Sequence, residues 1–388
     1  MKAKPMSTSS RKLSVGLLYD DTLDNFDGVS RQVKTLGAWL GSRGHHVFYM
    51  CGKTQAKDWA GGSIYSLAKN MKVTFNGNRM SIPVWSSGRL IREVLAHERP
   101  DIIHVQVPYS PLMAQRVIAK AHRHSAIVGT FHVFPSGWLS AVGSKLLGYY
   151  QKGSFKKIDQ LVSVSRPAAN FAEEAFSAKS NILPNMVDVS AMRSGPRKSV
   201  PGRRIVFLGR LVERKGCRQL IDAFHLLSSR QPDVVLVIGG KGPQMDTLKK
   251  YTQSLGLGGK IEFIGYVDED DKAEFLASAD IACFPSLFGE SFGVVLVEAM
   301  AAGAKVVLGG DNPGYRSVLG AQPDLLINPN DPKAFADRLN LLLSDQNLIN
   351  RLNKWQNKEV EQYDVNLVGE QYLKIYRQVI ANKSANKA

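Results

Sequence analysis

Cysteine is scarce in this chain of 388 residues. Cys51, Cys217 and Cys283 are odd in number, far apart and without metal-ligand spacing. That argues against a disulfide framework or a zinc site and fits a cytoplasmic setting. Long apolar runs are missing too: nothing approaches the roughly 20 uninterrupted apolar residues of a membrane span. Residues 1–12 are polar and basic, and the apolar run 13–18 is too short for a signal-peptide core and reads as a first strand. Short-period repeats and low-complexity tracts are absent. Hydrophobic residues at 44% and charged residues at 22% are ordinary globular values, which excludes a disordered or fibrous chain.

Negative charge is short in one half only. Residues 1–200 hold 27 Lys and Arg against 12 Asp and Glu, a balance of +15, whereas residues 201–388 hold 23 against 22. So lopsided a field suits a domain that faces a polyanion or an anionic membrane; a solvated basic surface accounts for it equally well. The basic residues are scattered, and no RNA-binding motif with interleaved aromatics occurs, so nucleic acid is not the expected partner.

Strand-like and helix-like segments alternate along the chain, which implies βαβ units and parallel sheets. Strands are expected at 13–18, 46–50, 101–105, 126–131 and 160–165, with helices near 29–40, 89–96 and 111–121. The segment 193–202 is rich in Gly, Pro, Ser and basic residues and reads as a linker. A second series comes after it, with strands at 204–208, 234–238, 261–264, 281–284 and 306–308, and helices from Gly216, Gln244 and about Gly293. A tail helix is expected from 365 to 380. Two doubly wound α/β domains are therefore expected: 1–192, and 203–365 after the linker.

Two segments carry candidate chemistry. Residues 285–303 follow an apolar strand, turn through Gly289-Glu290-Ser291-Phe292-Gly293 and open a helix, where outward N–H groups favour an anion. Glu290 and Glu298 lie eight apart and can face one cleft, suited to sugar hydroxyls; the alternative is acidic residues that merely stabilise a helix dipole. Residues 208–216 also follow a strand, at the sheet edge where open α/β sheets bind ligands. There Arg210 and Lys215 can clamp a diphosphate, while Arg214 can be an ordinary surface charge. Two acidic clusters, Asp20, Asp21, Asp24 and Asp27, and 268–271, fit no calcium loop, and the second is expected to cap a helix beginning near Lys272.

These segments together resemble the retaining glycosyltransferases of the family 4 type, with the GT-B fold. Glu290 to Glu298 looks like that family's E-x7-E motif, and Arg210 and Lys215 match its diphosphate-binding pair. The likeness runs through Asp27-Gly28-Val29, Gly129-Thr130-Phe131-His132, Leu183-Pro184-Asn185 and Ile264-Gly265-Tyr266-Val267. Within the family the chain is most similar to phosphatidylinositol mannosyltransferase-like lipid glycosyltransferases, through Phe75-Asn76-Gly77, residues 104–131 and 309–314. The resemblance implies two Rossmann-like domains facing a central cleft, with the tail 366–388 returning to the first. It implies that Glu290 contacts the donor sugar, Glu298 the ribose and Val267 the base. The backbone of Ser291, Phe292, Gly293, Val294 and Val295 would lie near sugar and phosphate, His132 would reach the sugar, and Gly28 would lie near the diphosphate. Without the resemblance, His132 reads first as a hydrogen-bonded structural histidine. Asp27 departs from the paired glycines of many relatives.

The implied activity moves a hexose from a nucleotide sugar, of the GDP-mannose or UDP-glucose type, to an acceptor hydroxyl without a metal or other cofactor. A membrane lipid such as phosphatidylinositol or diacylglycerol is the expected acceptor; a soluble sugar or polysaccharide, or epimerisation of the nucleotide sugar, are the alternatives. The run 138–157 mixes Trp138 with Lys145, Lys152, Lys156 and Lys157 and suits a peripheral contact with the anionic inner face of the cell membrane, or packing on the first sheet.

Overall fold

The computed structural model describes residues 11–24, 27–75, 78–132, 151, 153–195 and 202–385, with the backbone alone over 72–75, 78–82 and 84. The chain divides into two compact units. The first combines Met1–Met186 with Val365–Ala388, and the second is Val187–Asp364.

The first unit holds strands β1 (Ser14–Tyr19), β2 (His46–Cys51), β3 (Asp58–Trp59), β4 (Gly62–Ser66), β5 (Ala68–Phe75), β6 (Asn78–Ser86), β7 (Ile102–Gln106), β8 (Ala126–Phe131), β9 (Gln160–Ser163) and β10 (Asn181–Ile182). Eight of them form one sheet in the order β10-β9-β8-β7-β1-β2-β4-β3. It is parallel except where β3 meets β4. β5 and β6 pair as a separate antiparallel hairpin. β3 to β6, and the helix Arg166–Phe176, were not anticipated from the sequence.

A parallel sheet is covered on both faces, so its strands are apolar on both sides. Side chains alternate along β1: Val15, Leu17 and Tyr19 enter one core, Leu18 the other. The tail helix Val365–Ala385 closes the first core with Val368, Tyr372, Leu373, Tyr376 and Val379. Gly369 permits this approach, because a Cβ there would stand 2.6 Å from the Trp39 ring.

The second unit holds β11 (Arg203–Leu208), β12 (Val234–Gly239), β13 (Ile261–Gly265), β14 (Ile281–Phe284), β15 (Val306–Gly310) and β16 (Leu326–Ile327). They form a wholly parallel sheet, β13-β12-β11-β14-β15-β16. This is the doubly wound order that reverses direction between its first and fourth strands, here β11 and β14. The first sheet reverses in the same way between β1 and β7.

Two expectations need correction. The chain passes between units at 186–187 and 364–365, whereas a linker was expected at 193–202. The helix Val189–Ser194 instead packs within the second unit, on the helix Val294–Ala302. Composition marked a loop there, but packing sets the boundary. The helix expected near Lys272 begins at Glu269, with Asp268 as its N-cap residue.

Candidate active site

The loops that leave β11 and β14 meet at the reversal point of the second sheet. After β11 the chain passes Arg210 and makes a short turn, Glu213–Lys215. Lys215 Nζ donates to Glu290 Oε1 at 2.6 Å, and Arg214 Nη1 donates to the same oxygen at 3.0 Å. Arg214 is thus part of the site and not the surface charge its sequence setting suggested. Burial alone would push the Glu290 carboxyl up, but the charges of Lys215 and Arg214, with hydrogen bonds from Lys215 and Ser286, hold it below the usual range. Arg210 stands close enough to Arg214 that, after partial burial, the neighbouring charge lowers its proton affinity. Crowded cations of this kind favour an anion among them.

Gly293 comes next, at φ +103°, a left-handed conformation that favours glycine. Its position is crowded as well, since a Cβ would lie 2.6 Å from the Tyr315 ring. Val294 opens the helix Val294–Ala302, and no side chain caps that end. The Phe292 side chain is buried edge-on against Tyr363, while Ser291, Val294 and Val295 beside it are half-buried. Glu298, one turn into the helix, is buried and accepts from Lys272 Nζ at 2.8 Å; Lys272 also donates to Glu269. The two glutamates of the E-x7-E spacing therefore have separate cationic partners. Val267, just after β13, lines an open cavity of about 330 Å³ with Tyr266, Asp271 and Phe275.

In the first unit, His132 directly follows β8 and is 5% exposed. Its Nε2 meets Gln106 Oε1, at the end of β7, at 2.5 Å. Behind it, His104 joins Tyr376 of the tail helix and Thr130, each at 2.7 Å. Burial pushes both imidazoles down to about 3, His132 adding to the effect on His104. Gly28 begins the helix Gly28–Ser42. The Asp27 carboxylate caps that helix, accepting from the Val29 and Ser30 amides and from the Tyr19 hydroxyl. Its charge is thereby committed to the helix end. Lys156 and Lys157 are exposed; Trp138, Lys145 and Lys152 lie outside the described residues.

Sequence reasoning missed Lys272, Gln106 and Tyr376. No local signal marks them, because each gains its role from a neighbouring element. The three cysteines are buried and unbridged. Among the described residues no helix is long and apolar enough to cross a membrane, and no group of three or more His, Cys, Asp or Glu could hold a metal ion.

Comparison with known proteins gives the family. Residues 26–191 match the model of Glycosyltransferase Family 4, and 190–359 that of Glycosyl transferases group 1. A phosphatidyl-myo-inositol mannosyltransferase of Mycolicibacterium smegmatis is 31% identical over 95% of this chain and 94% of its own length. Among solved structures, a glycosyltransferase from Rickettsia africae superposes with a TM-score of 0.77 at 18% identity, covering 96% of this chain and 99% of its own. Anabaena HepE, solved with UDP and glucose, gives 0.70 at 16% identity, covering 94% and 99%. The chain belongs to the family 4 glycosyltransferases, with the GT-B fold of two Rossmann-like domains, and is a hexosyltransferase of that family.

Proposed function

We propose that the protein transfers a hexose, with retention of anomeric configuration, from a nucleotide sugar of the GDP-mannose or UDP-glucose type to a hydroxyl of a membrane lipid such as phosphatidylinositol. The observation that carries this reading is the junction of Lys215, Arg214 and Glu290 between the loops of β11 and β14. A nucleoside diphosphate leaving the anomeric carbon develops charge, which Arg210, Lys215 and the uncapped helix start at Gly293 stabilise. Glu290, ionised between its cations, accepts from donor-sugar hydroxyls, Glu298 from the ribose, and Val267 borders the base. The C–O bond to phosphate breaks as the acceptor oxygen attacks from the same face, and the leaving phosphate oxygen takes the acceptor proton. The relatives named phosphatidyl-myo-inositol mannosyltransferases support the acceptor class. The balance of +15 in residues 1–200, with exposed Lys156 and Lys157, supports peripheral binding to an anionic leaflet.

The test incubates purified protein with several nucleotide sugars and a lipid extract and identifies products by mass spectrometry. A glycosylated lipid and free nucleoside diphosphate are expected, at unchanged rate in EDTA. Transfer only to water-soluble sugars, or an epimerised donor without acceptor, would overturn the reading.

A further inference from the structure

Two strands of the first unit pair apart from its main sheet, and a groove lies at their base. β4 ends at Ser66, the Leu67 amide donates to the Cys51 carbonyl at 2.9 Å, and the chain enters the hairpin β5–β6. It returns through Trp85 and Ser86 to the helix Gly88–Glu98, where the Ser87 amide donates to the Leu67 carbonyl at 3.0 Å. Both ends of the hairpin are thus tied to the carboxyl end of β4. The groove there is an open cavity of about 510 Å³ whose walls include Leu67, Ala68, Lys69, Trp85, Ser86 and Leu90.

The groove joins apolar surface to positive charge. Trp85 is 70% exposed, and Met71 on β5 is 50% exposed. Side chains of this size are usually buried, and apolar surface gathered in water marks a contact. Lys69 stands directly across the hairpin from Trp85. Arg116 reaches the same edge, its Nη1 donating to the Ser86 carbonyl at 2.5 Å and to the Ser86 hydroxyl at 3.2 Å. Lys120 lies beside it: a Cβ on Gly88 would stand 3.6 Å from Lys120 Nζ and 3.8 Å from Arg116 Nη2. Among the described residues no carboxylate pairs with Lys69, Arg116 or Lys120, whereas nearby Arg89 is already paired with Glu93. Cations beside an aliphatic and aromatic wall suit a molecule that joins an anion to a hydrocarbon chain. A nucleotide would supply the anion and stack on Trp85, but offers little to Leu67, Ala68 and Leu90.

We propose that this groove seats an acyl chain of an anionic membrane phospholipid, with the lipid phosphate met by Lys69, Arg116 and Lys120. Trp85 then lies between hydrocarbon and headgroups, a level that suits the apolar ring and polar N–H of an indole. The lysine stems cover apolar surface while their ammonium groups reach the phosphate. The +15 balance of residues 1–200 attracts the same partner. The inference rests on the reading of the first unit as the side that meets an anionic leaflet, and gives that contact a seat outside the run 138–157.

The experiment mixes the full chain with vesicles of phosphatidylglycerol and phosphatidylcholine whose acyl chains carry bromine, and reads tryptophan fluorescence and cosedimentation. The Trp85 signal is the difference between the wild type and Trp85→Phe, a change at an exposed position that leaves the fold alone. That signal is expected to be quenched by the brominated vesicles and, without lipid, to be quenched freely by acrylamide. Lys69→Gln with Lys120→Gln should weaken vesicle binding about tenfold or more. Lys249→Gln with Lys250→Gln removes the same charge from an exposed helix face of the second unit and should bind as the wild type does. Millimolar glycerol phosphate, which carries the anion without the chain, should not displace the protein. Vesicle binding without quenching of Trp85, a Trp85 shielded from acrylamide before lipid is added, equal weakening in the two lysine pairs, or displacement by glycerol phosphate would each overturn the inference and leave the leaflet contact of the proposed function standing. No binding to any anionic vesicle would overturn both.

Discussion

The two sheets reverse direction in the same way yet end in opposite chemistries. At β11 and β14 the second unit brings Lys215, Arg214 and Glu290 together as charges, with Lys272 and Glu298 as a further ion pair. At β7 and β8 the first unit carries His104, Gln106, Thr130 and His132, all neutral, backed by two tyrosines of the tail helix. A departing diphosphate carries full charge and is stabilised by fixed cations. A hydroxyl carries none, and neutral donors and acceptors suit it. One topology thus carries two chemistries, because the residues at and beyond each strand end, rather than the sheet itself, decide them.

The sharpest way to break the comparison is at the buried ion pair. Lys272→Met leaves the buried Glu298 carboxylate without its ammonium partner and should destabilise the protein by about 3–5 kcal/mol. Adding Glu298→Gln should recover much of that in urea unfolding, whereas no recovery would mean that Lys272 acts through packing alone. Next come the cations of the loops. Arg210→Ala and Lys215→Ala should each slow transfer about a hundredfold or more, roughly 3 kcal/mol of lost charge stabilisation. Glu290→Ala should remove transfer, and the conservative Glu290→Gln should do so while the chain still folds; turnover at the wild-type rate in the folded variants would take Glu290 out of the sugar site.

In the first unit the expected effects are on stability and not on nucleotide binding. Gly369→Ala drives a methyl group into Trp39 and should cost about 1–3 kcal/mol through overpacking of the tail helix. Nucleoside diphosphate affinity should not change. The last effect is a trend of stability with pH. His104 and His132 stay neutral in the fold down to about 3, whereas the unfolded chain takes up protons near 6.5. The unfolded state binds more protons between those values, so stability should fall as pH drops from 6.5 toward 3. The slope is at most roughly 1.4 kcal/mol per pH unit for each histidine. Asp20 acts in the opposite sense: burial pushes it up to about 6 against its bonds to Ser110 and the Ala114 amide, so it offsets part of that loss between about 4 and 6. Stability measured at pH 7, 6 and 5 checks the sign, and His104→Gln with His132→Gln should flatten the trend.

Much of this molecule was legible because parallel strands are apolar on both faces. The expected strand 126–131 matches β8 at both ends, and 281–284 matches β14. Glu290 and the turn before Gly293 stood out because a glycine-rich break after an apolar strand has few other uses. The hairpin β5–β6 did not stand out, although Asn76-Gly77 between two strand-like runs is a strong turn signal. Lys272 was hidden among acidic neighbours that read as a helix cap, and its burial is decided by a helix more than twenty residues later. Gln106 carries no charge and sits in a strand, so only its pairing with His132 across β7 and β8 gives it a role.

Nucleoside diphosphate binding, measured by calorimetry on the full chain, tests the division between the units most directly. The account predicts that Lys215→Ala and Arg210→Ala weaken binding at least tenfold, with less weakening at high salt, while Gln106→Leu and His132→Gln bind as the wild type does. Equal weakening in the Gln106 or His132 variants, or wild-type binding in both cation variants, would contradict it.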